Sequence, residues 1–316
     1  MNATNSAAVV HEQFTLGEYI FYLSNGAVGS LFNFIVLWIA MIYIDTDDKP
    51  RQIIVINMTF ADLLMCLTYM LTRPYLSFFP NIICHPYYVT IWTIQLVSCV
   101  NLVWLNIDKL IFIQFPLHYY SIINRKKILI LCTATWIVLG YISFTVESYM
   151  QVMGGCERVS INPYIYMPIC ILYVVVIVAS FTISAIIYCI AHTSTKAETR
   201  QRTKLFHRLF FLFSSTLWTF FTCLPYRILY LMNMLCSPCR TMLVRQITDM
   251  FFRILVVGMV INPLITIWTQ RIYRMRLLKL LNACHISLAN EETDLSTRRQ
   301  STKWSTVESV PLATNL

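Results

Sequence analysis

The stretch YIFYLSNGAVGSLFNFIVLWIAMIYI, residues 19–44, contains no Asp, Glu, Lys, Arg or His. As a helix rising 1.5 Å per residue it is long enough to cross the roughly 30 Å hydrocarbon core of a bilayer. It exceeds the apolar core of a signal peptide, and no small-residue cleavage site follows it, so it reads as a retained signal anchor. Six further stretches follow: 53–72, interrupted only by Asp62; 86–107; 128–146; 159–191; 209–235, broken by Arg227; and 246–270, with Asp249 and Arg253 near its start. All have helix length, and none alternates in the short segments of a membrane barrel. A soluble helical bundle would need polar faces at helical spacing, and the first, third and fifth stretches have none. The expected fold class is therefore an all-α membrane protein with a seven-transmembrane helix bundle.

Composition points the same way. The 316 residues are 57% hydrophobic and 12% charged, about half the charged fraction of an ordinary soluble domain. Disorder of the whole chain would need the opposite balance. The net charge of +9 does not suggest nucleic acid, which calls for a basic patch on a well-solvated domain. Nothing points to an enzyme: there is no nucleophile–His–acid set, no His-Glu-x-x-His and no phosphate loop. A channel or transporter would show charges along a path or broken helices in paired halves, and neither pattern is seen.

The sidedness of the charges gives the orientation. With the N-terminus outside, six of the 24 Lys and Arg (Arg73, Arg158, Arg227, Arg240, Arg245, Arg253) lie outside or in the outer half, and the other 18 inside. That is the positive-inside pattern of an N-out, C-in protein, expected at the plasma membrane in contact with membrane lipid. Four regions result: an extracellular tail, 1–16; the bundle, 17–270; a short amphipathic juxtamembrane helix on the cytoplasmic side, 271–284; and a disordered cytoplasmic tail, 285–316. Asn2-Ala3-Thr4 is a glycosylation sequon on the outer tail, whereas Asn57-Met58-Thr59 sits inside a span and should stay unmodified.

Polar groups inside a membrane are costly and mark function. Asn33 lies in the first span, Asp62 in the second and Asn262-Pro263 in the seventh. Around them stand Asn57-x-x-x-Ala61-Asp62-Leu63-Leu64, Asp108-Lys109-Leu110 closing the third span, and Trp136 in the fourth. Thr222-Cys223-Leu224-Pro225 lies in the sixth span, and Asn262-Pro263-Leu264-Ile265-Thr266 is followed seven residues later by Tyr273. In this order and spacing the chain resembles the rhodopsin-like (class A) G-protein-coupled receptors over residues 17 to about 284. The resemblance implies a receptor that transduces an extracellular ligand to heterotrimeric G proteins. Activation would involve Asp108, Lys109, Pro225, Asn262 and Pro263. Three motifs depart from the family: Lys109 replaces an Arg and loses its planar fork, Cys223 stands where a Trp is usual, and Thr266 where a Tyr is usual. Ser180 occupies a usual proline position. A non-signalling scaffold or decoy fits these departures as the alternative.

Cys84 and Cys156 either form the disulfide that the resemblance implies, in an oxidising exterior, or stay as free thiols. Cys236-Ser237-Pro238-Cys239 reads as a small loop disulfide rather than a redox or zinc motif. Cys284, beside a basic run, is a palmitoylation candidate. Asp62, Ser98 and Asn262 match positions that hold an allosteric sodium ion in the resembled family, the one cofactor expected. The alternative is a protonated Asp62 hydrogen-bonded to Asn33 and Asn262. Ile91 occupies the position of the acidic anchor of amine receptors, which disfavours a monoamine. Arg73, Arg227 and Arg253, with Gln95, Tyr226, Tyr230 and Asp249 near by, suit a peptide or small anionic ligand. Alternatively those arginines pair internally with Glu147 and Asp249, Asp249 and Arg253 being i, i+4. The basic stretch from Lys196 to Arg208 either lines a G-protein cavity or is only topogenic. Tail residues Ser296, Thr297, Ser301, Thr302, Ser305 and Thr306 are candidate phosphosites for arrestin. Thr314-Asn315-Leu316 has the form of a PDZ ligand.

Overall fold

The structure is a computed structural model. It describes residues 15–282 apart from 48, 150, 153–155, 157–158, 161–162, 194–198, 237 and 239–240. Seven long helices lie between residues 16 and 269: α1 (Leu16–Tyr43), α2 (Gln52–Met65), α3 (Asn81–Gln114), α4 (Arg125–Glu147), α5 (Pro163–Thr193), α6 (Thr199–Leu235) and α7 (Met242–Thr269). Six of them, all but α6, have described stretches long and apolar enough to cross a membrane, and α6 runs for 37 residues. The end of the bundle holding Leu16 is called upper here and the end holding Tyr43 lower.

Local chemistry sets the helix ends. Thr15 caps α1 through its hydroxyl while Glu18 reaches back to the Thr15 N–H, a reciprocal capping box. Asn124 caps α4 by accepting from the Lys127 N–H. α2 does not stop at Met65 but widens into a π turn, Cys66–Met70, closed by Leu71 N–H donating to the Cys66 carbonyl at 3.1 Å. A 3-10 turn, Arg73–Phe78, follows with Pro74 at its start, where a missing N–H costs nothing. Residues 271–282 form a further helix, α8, belonging to a separate unit of the chain.

Hydropathy and helix extent differ at two places. α3 continues six residues past Asp108, and α6 begins at Thr199, inside the basic stretch read from sequence as loop. Both extensions carry charge, so they lie beyond the apolar windows yet keep helical geometry. The helix read over 271–284 is described over 271–282. Among the described residues the fold departs from all-α only by a hairpin of two-residue strands, Gln151–Val152 against Val159–Ser160.

The bundle core is mainly apolar but holds buried polar groups, and its outer surface is apolar. Asn33, Asp62, Asn101, Asn106, Ser143 and Arg227 are buried among residues such as Val36, Ile39, Met65 and Leu96, while Trp38, Ile130, Ile137, Val138 and Trp268 are exposed. An apolar outer surface suits lipid as solvent. Close helix approach rests on small residues. A Cβ added at Gly29 would sit 2.6 Å from Cys66 Sγ, so α1 meets α2 almost backbone to backbone. Among α2, α3 and α4 a polar lock accompanies the hydrophobic contacts of Ile54, Met58, Leu102, Leu105 and Ile128. Trp136 Nε1 donates to Asn57 Oδ1 at 2.8 Å, and Asn57 Nδ2 donates to Asn101 Oδ1 at 2.9 Å.

Candidate ligand and signalling sites

At the upper end a disulfide joins Cys84, near the start of α3, to Cys156, between the hairpin strands, with 5.0 Å between Cα atoms. Tyr88 reinforces it by donating to the Cys156 carbonyl at 2.7 Å. The loop before α5 is thereby tied to the mouth of the bundle. Cys236 is also disulfide-bonded, and its expected partner Cys239 lies outside the described residues.

The three arginines of the upper half occupy three different settings. Arg253 forms an ion pair with Glu18 at 2.6 Å, not with Asp249, because the α1–α7 contact brings the first turn of α1 closer than the next turn of its own helix. Asp249 is exposed. Arg73 lies against the Tyr69 ring at 5.8 Å. Arg227 goes deepest and is 3% exposed. Its Nη2 donates to Gln95 Oε1 at 2.8 Å, and its guanidinium stacks on Tyr173 at 3.6 Å. Beside it Tyr226 packs near Tyr230 (6.0 Å) and Phe252 (5.2 Å), and Phe252 meets Tyr69 at 5.7 Å. The structure brings Arg227, Gln95 and Tyr226 together with Tyr230 beside Tyr226, while Arg73 lies against Tyr69 and Arg253 against Glu18. The Glu147 side chain lies outside the described residues, and Ile91 is buried in the upper core.

Beneath Arg227 lies a cavity of about 50 Å³, room for a few water molecules or one hydrated ion. Gln95 and Arg227 line it at one end and Asp62, Ser98 and Asn262 at the other. Ser98 Oγ donates to Asp62 Oδ1 at 3.0 Å, and Asn262 Nδ2 donates to Asp62 Oδ2 at 3.2 Å. Asn33 does not take part: its amide donates to the carbonyls of Gly29 (2.9 Å) and Met259 (3.3 Å), bridging α1 to α7 instead. The three-way bond expected around a protonated Asp62 is corrected accordingly.

Trp218 also lines the cavity, five residues before the Cys223 that stands where a tryptophan was expected. Its indole fills a notch at Gly258: a Cβ on that glycine would collide with Trp218 Nε1. Thr222 and Thr266 donate to carbonyls one turn back, Trp218 at 2.7 Å and Asn262 at 3.0 Å. They lie three residues from Pro225 and Pro263, each proline sitting inside a continuous helix.

At the lower end, Asp108 is 2% exposed and accepts from the Tyr119 hydroxyl at 2.6 Å. Burial, then the carboxylate it bonds, push the Tyr119 phenol pKa up, keeping it a donor. Lys109 turns to the Phe112 ring, 5.2 Å away. A second polar lock lies between: Asn106 Nδ2 donates to Ser180 Oγ at 2.8 Å and Thr216 Oγ1 at 3.4 Å, linking α3, α5 and α6. Ser180, noted only as a missing proline, is thus an acceptor. Sequence reading missed Tyr119, Tyr173 and Trp218. Only Trp218 left a trace, as a large side chain on α6 facing a glycine one turn before Asn262. Asn2, Cys284, the tail phosphosites and Thr314–Leu316 lie outside the described residues.

Comparison with known proteins adds two findings. Residues 32–265 match the family described as 7 transmembrane receptor (rhodopsin family). The chain is also similar to the G-protein coupled receptor aex-2 of Caenorhabditis elegans. Identity is 56% over 308 residues, covering 95% of this chain and 96% of that one.

Proposed function

The chain belongs to the rhodopsin family of seven-transmembrane receptors, and on that premise we propose that it receives a peptide or small anionic ligand through Arg227 and signals through heterotrimeric G proteins. It is a multi-pass membrane protein of a receptor family, not an enzyme. In this reading it sits in the plasma membrane with the upper end extracellular. The observation that carries it is Arg227, a guanidinium buried at 3% exposure in the upper half of α6 and hydrogen-bonded to the neutral amide of Gln95. A carboxylate arriving from above exchanges a neutral acceptor for a charged one, and charge-assisted bonds are the stronger. Tyr226 lies beside the Arg227 guanidinium at 5.1 Å and packs against Phe252, so a ligand reaching Arg227 meets this aromatic pair.

Moving Tyr226 perturbs α6 just above Pro225, and the two-state bundle shifts by the ligand's differential affinity for the two states. Asp108, Lys109, Asn262 and Pro263 then take part in the response at the lower end. A sodium ion would be held by Asp62, Ser98 and Asn262, hard oxygen donors beside a cavity of about 50 Å³. It would supply a counter-charge to the carboxylate, in competition with Arg227 at the other end of the same cavity. Agonist affinity should therefore depend on sodium weakly in the parent and not at all in Asp62→Asn; no Asp62-dependent sodium effect rejects the ion.

The main test is a peptide and metabolite screen with a promiscuous G-protein reporter, followed by Arg227→Ala. A charged hydrogen bond of this type is worth a roughly ten- to hundredfold loss of agonist potency at unchanged surface expression. Unchanged potency rejects the anchor. The replaced motif residues Lys109, Cys223 and Thr266 favour a second reading, a non-signalling scaffold. Agonist binding without guanine-nucleotide exchange in membranes would identify it. Arrestin docking at the tail phosphosites, a PDZ partner at Thr314–Leu316, glycosylation at Asn2 and palmitoylation at Cys284 complete the proposal.

A further inference from the structure

Cys99 on α3 and Cys223 on α6 are free thiols that line the same cavity beneath Arg227. The two helices pack together, and the two side chains are hydrogen-bonded to each other, sulfur to sulfur, across the interface. Cys223 is 2% exposed and also accepts a hydrogen bond from Arg227. Neither thiol belongs to the ligand anchor or to the Asp62 cluster.

Such a pair suits one chemistry. Two thiols are too few for a closed zinc site, and among the described residues no third His, Cys, Asp or Glu completes a metal-holding group with them. Thiols already in contact need only side-chain rotation and a small approach of two helices to reach bonding distance. The cavity of about 50 Å³ has room for a few water molecules, and therefore for a peroxide, which is hardly larger. The reacting species is the thiolate, and Arg227 supplies the adjacent positive charge that balances it. A tryptophan at position 223 would fill this space, whereas cysteine leaves it open.

We propose that Cys99 and Cys223 are a redox modification site, which a peroxide entering the cavity converts to a disulfide that bolts α6 to α3. The Cys223 thiolate attacks one peroxide oxygen. A sulfur–oxygen bond forms, the oxygen–oxygen bond breaks, and the departing hydroxide takes up the Cys223 proton as water. Cys99 then attacks the sulfur of the resulting sulfenic acid. The sulfur–sulfur bond forms, the sulfur–oxygen bond breaks, and the hydroxyl leaves with the Cys99 proton as a second water. Two thiols are oxidised to one disulfide while one peroxide is reduced to two waters. The bond ties the middle of α6, two residues before Pro225, to α3. It holds α6 against the bundle. The bond itself is independent of any ligand, while its effect on signalling rests on the G-protein reading.

The test treats the full chain in native membranes with hydrogen peroxide, blocks the remaining thiols by alkylation, and maps disulfide-linked peptides by mass spectrometry. A peptide pair joining Cys99 to Cys223 is expected, and it should be absent from Cys99→Ala and from Cys223→Ser. The oxidised receptor in detergent should melt roughly 5–10 °C above the untreated one, as a single added crosslink predicts, with no such gain in Cys99→Ala. Basal uptake of a non-hydrolysable GTP analogue should fall about tenfold in the peroxide-treated parent, as a shift of the two-state bundle requires, and stay unchanged in Cys99→Ala. A receptor that bridges and gains thermal stability but takes up no nucleotide even untreated upholds the bond and counts against the G-protein reading. Oxidation of Cys223 to sulfinic acid with Cys99 untouched, a bridge made to a different cysteine, or a Cys99–Cys223 bridge without thermal gain overturns the proposal.

Discussion

Single residues carry most of the specificity of this bundle. Gly258 is required by its neighbour: any side chain there meets the Trp218 indole. Overpacking of this kind costs about 1–3 kcal/mol. Gly258→Ala should therefore lower the melting temperature of detergent-solubilised receptor, and adding Trp218→Leu should recover it. If the double variant is no more stable than Gly258→Ala alone, the notch is not the cause. The pair also shows what could not be read from residue types. Asp62 and Asn262 were legible because a carboxylate or amide in a span is rare, Ser98 only through the resemblance to the receptor family, and all three line one cavity. Arg227 was legible for the same reason. Tyr173, whose face supports Arg227, is one of 18 tyrosines and carries no local mark. Tyr119 lies past the end of the apolar window, so its bond to Asp108 had no signal at all.

At the scale of elements, hydropathy reports where lipid ends rather than where a helix ends. All seven helices were legible as apolar runs. The lower ends of α3 and α6 were not, because Asp108-Lys109 and the stretch from Lys196 to Arg208 look like loop while Gln114 and Thr199 mark the real limits. The Cys84–Cys156 bond is the clearest device at this scale, since it closes 72 residues of chain and fixes the hairpin over the mouth. Loss of a native disulfide of this type typically costs 2–5 kcal/mol. Cys156→Ser should accordingly reduce surface expression and agonist affinity together, and Cys84→Ser should match it with no additive loss in the double variant. Additive losses would mean that the two thiols act separately.

For the whole molecule, the outer surface of the bundle is apolar, unlike that of a soluble protein, and the basic residues are divided between the two ends. The upper end should then be glycosylated. Enzymatic deglycosylation should shift the mobility of the parent but not of Asn2→Gln, and Asn57 should stay unmodified, being inside α2 and bonded to Asn101 and Trp136. Resistance of the parent would overturn the orientation. The bundle and its connectivity were readable because lipid imposes one rule on every span. The pairing of polar side chains was not, because it depends on helix rotation, which a run of apolar residues leaves undetermined.

One such rotation is set by the π turn at Cys66–Met70. A π turn spends more residues per revolution than an α turn, so everything after it is wound back by about the 100° that one residue contributes. The upper part of α2 therefore carries an absorbed insertion. Deleting a single residue from that turn would return the segment to ordinary α register, with no bond broken below it. Tyr69 and Arg73 would then swing off the mouth and toward lipid. Receptors of this lineage can in principle exchange the outer chemistry of one helix by gaining or losing one codon, while the Asp62 floor a turn below keeps its place.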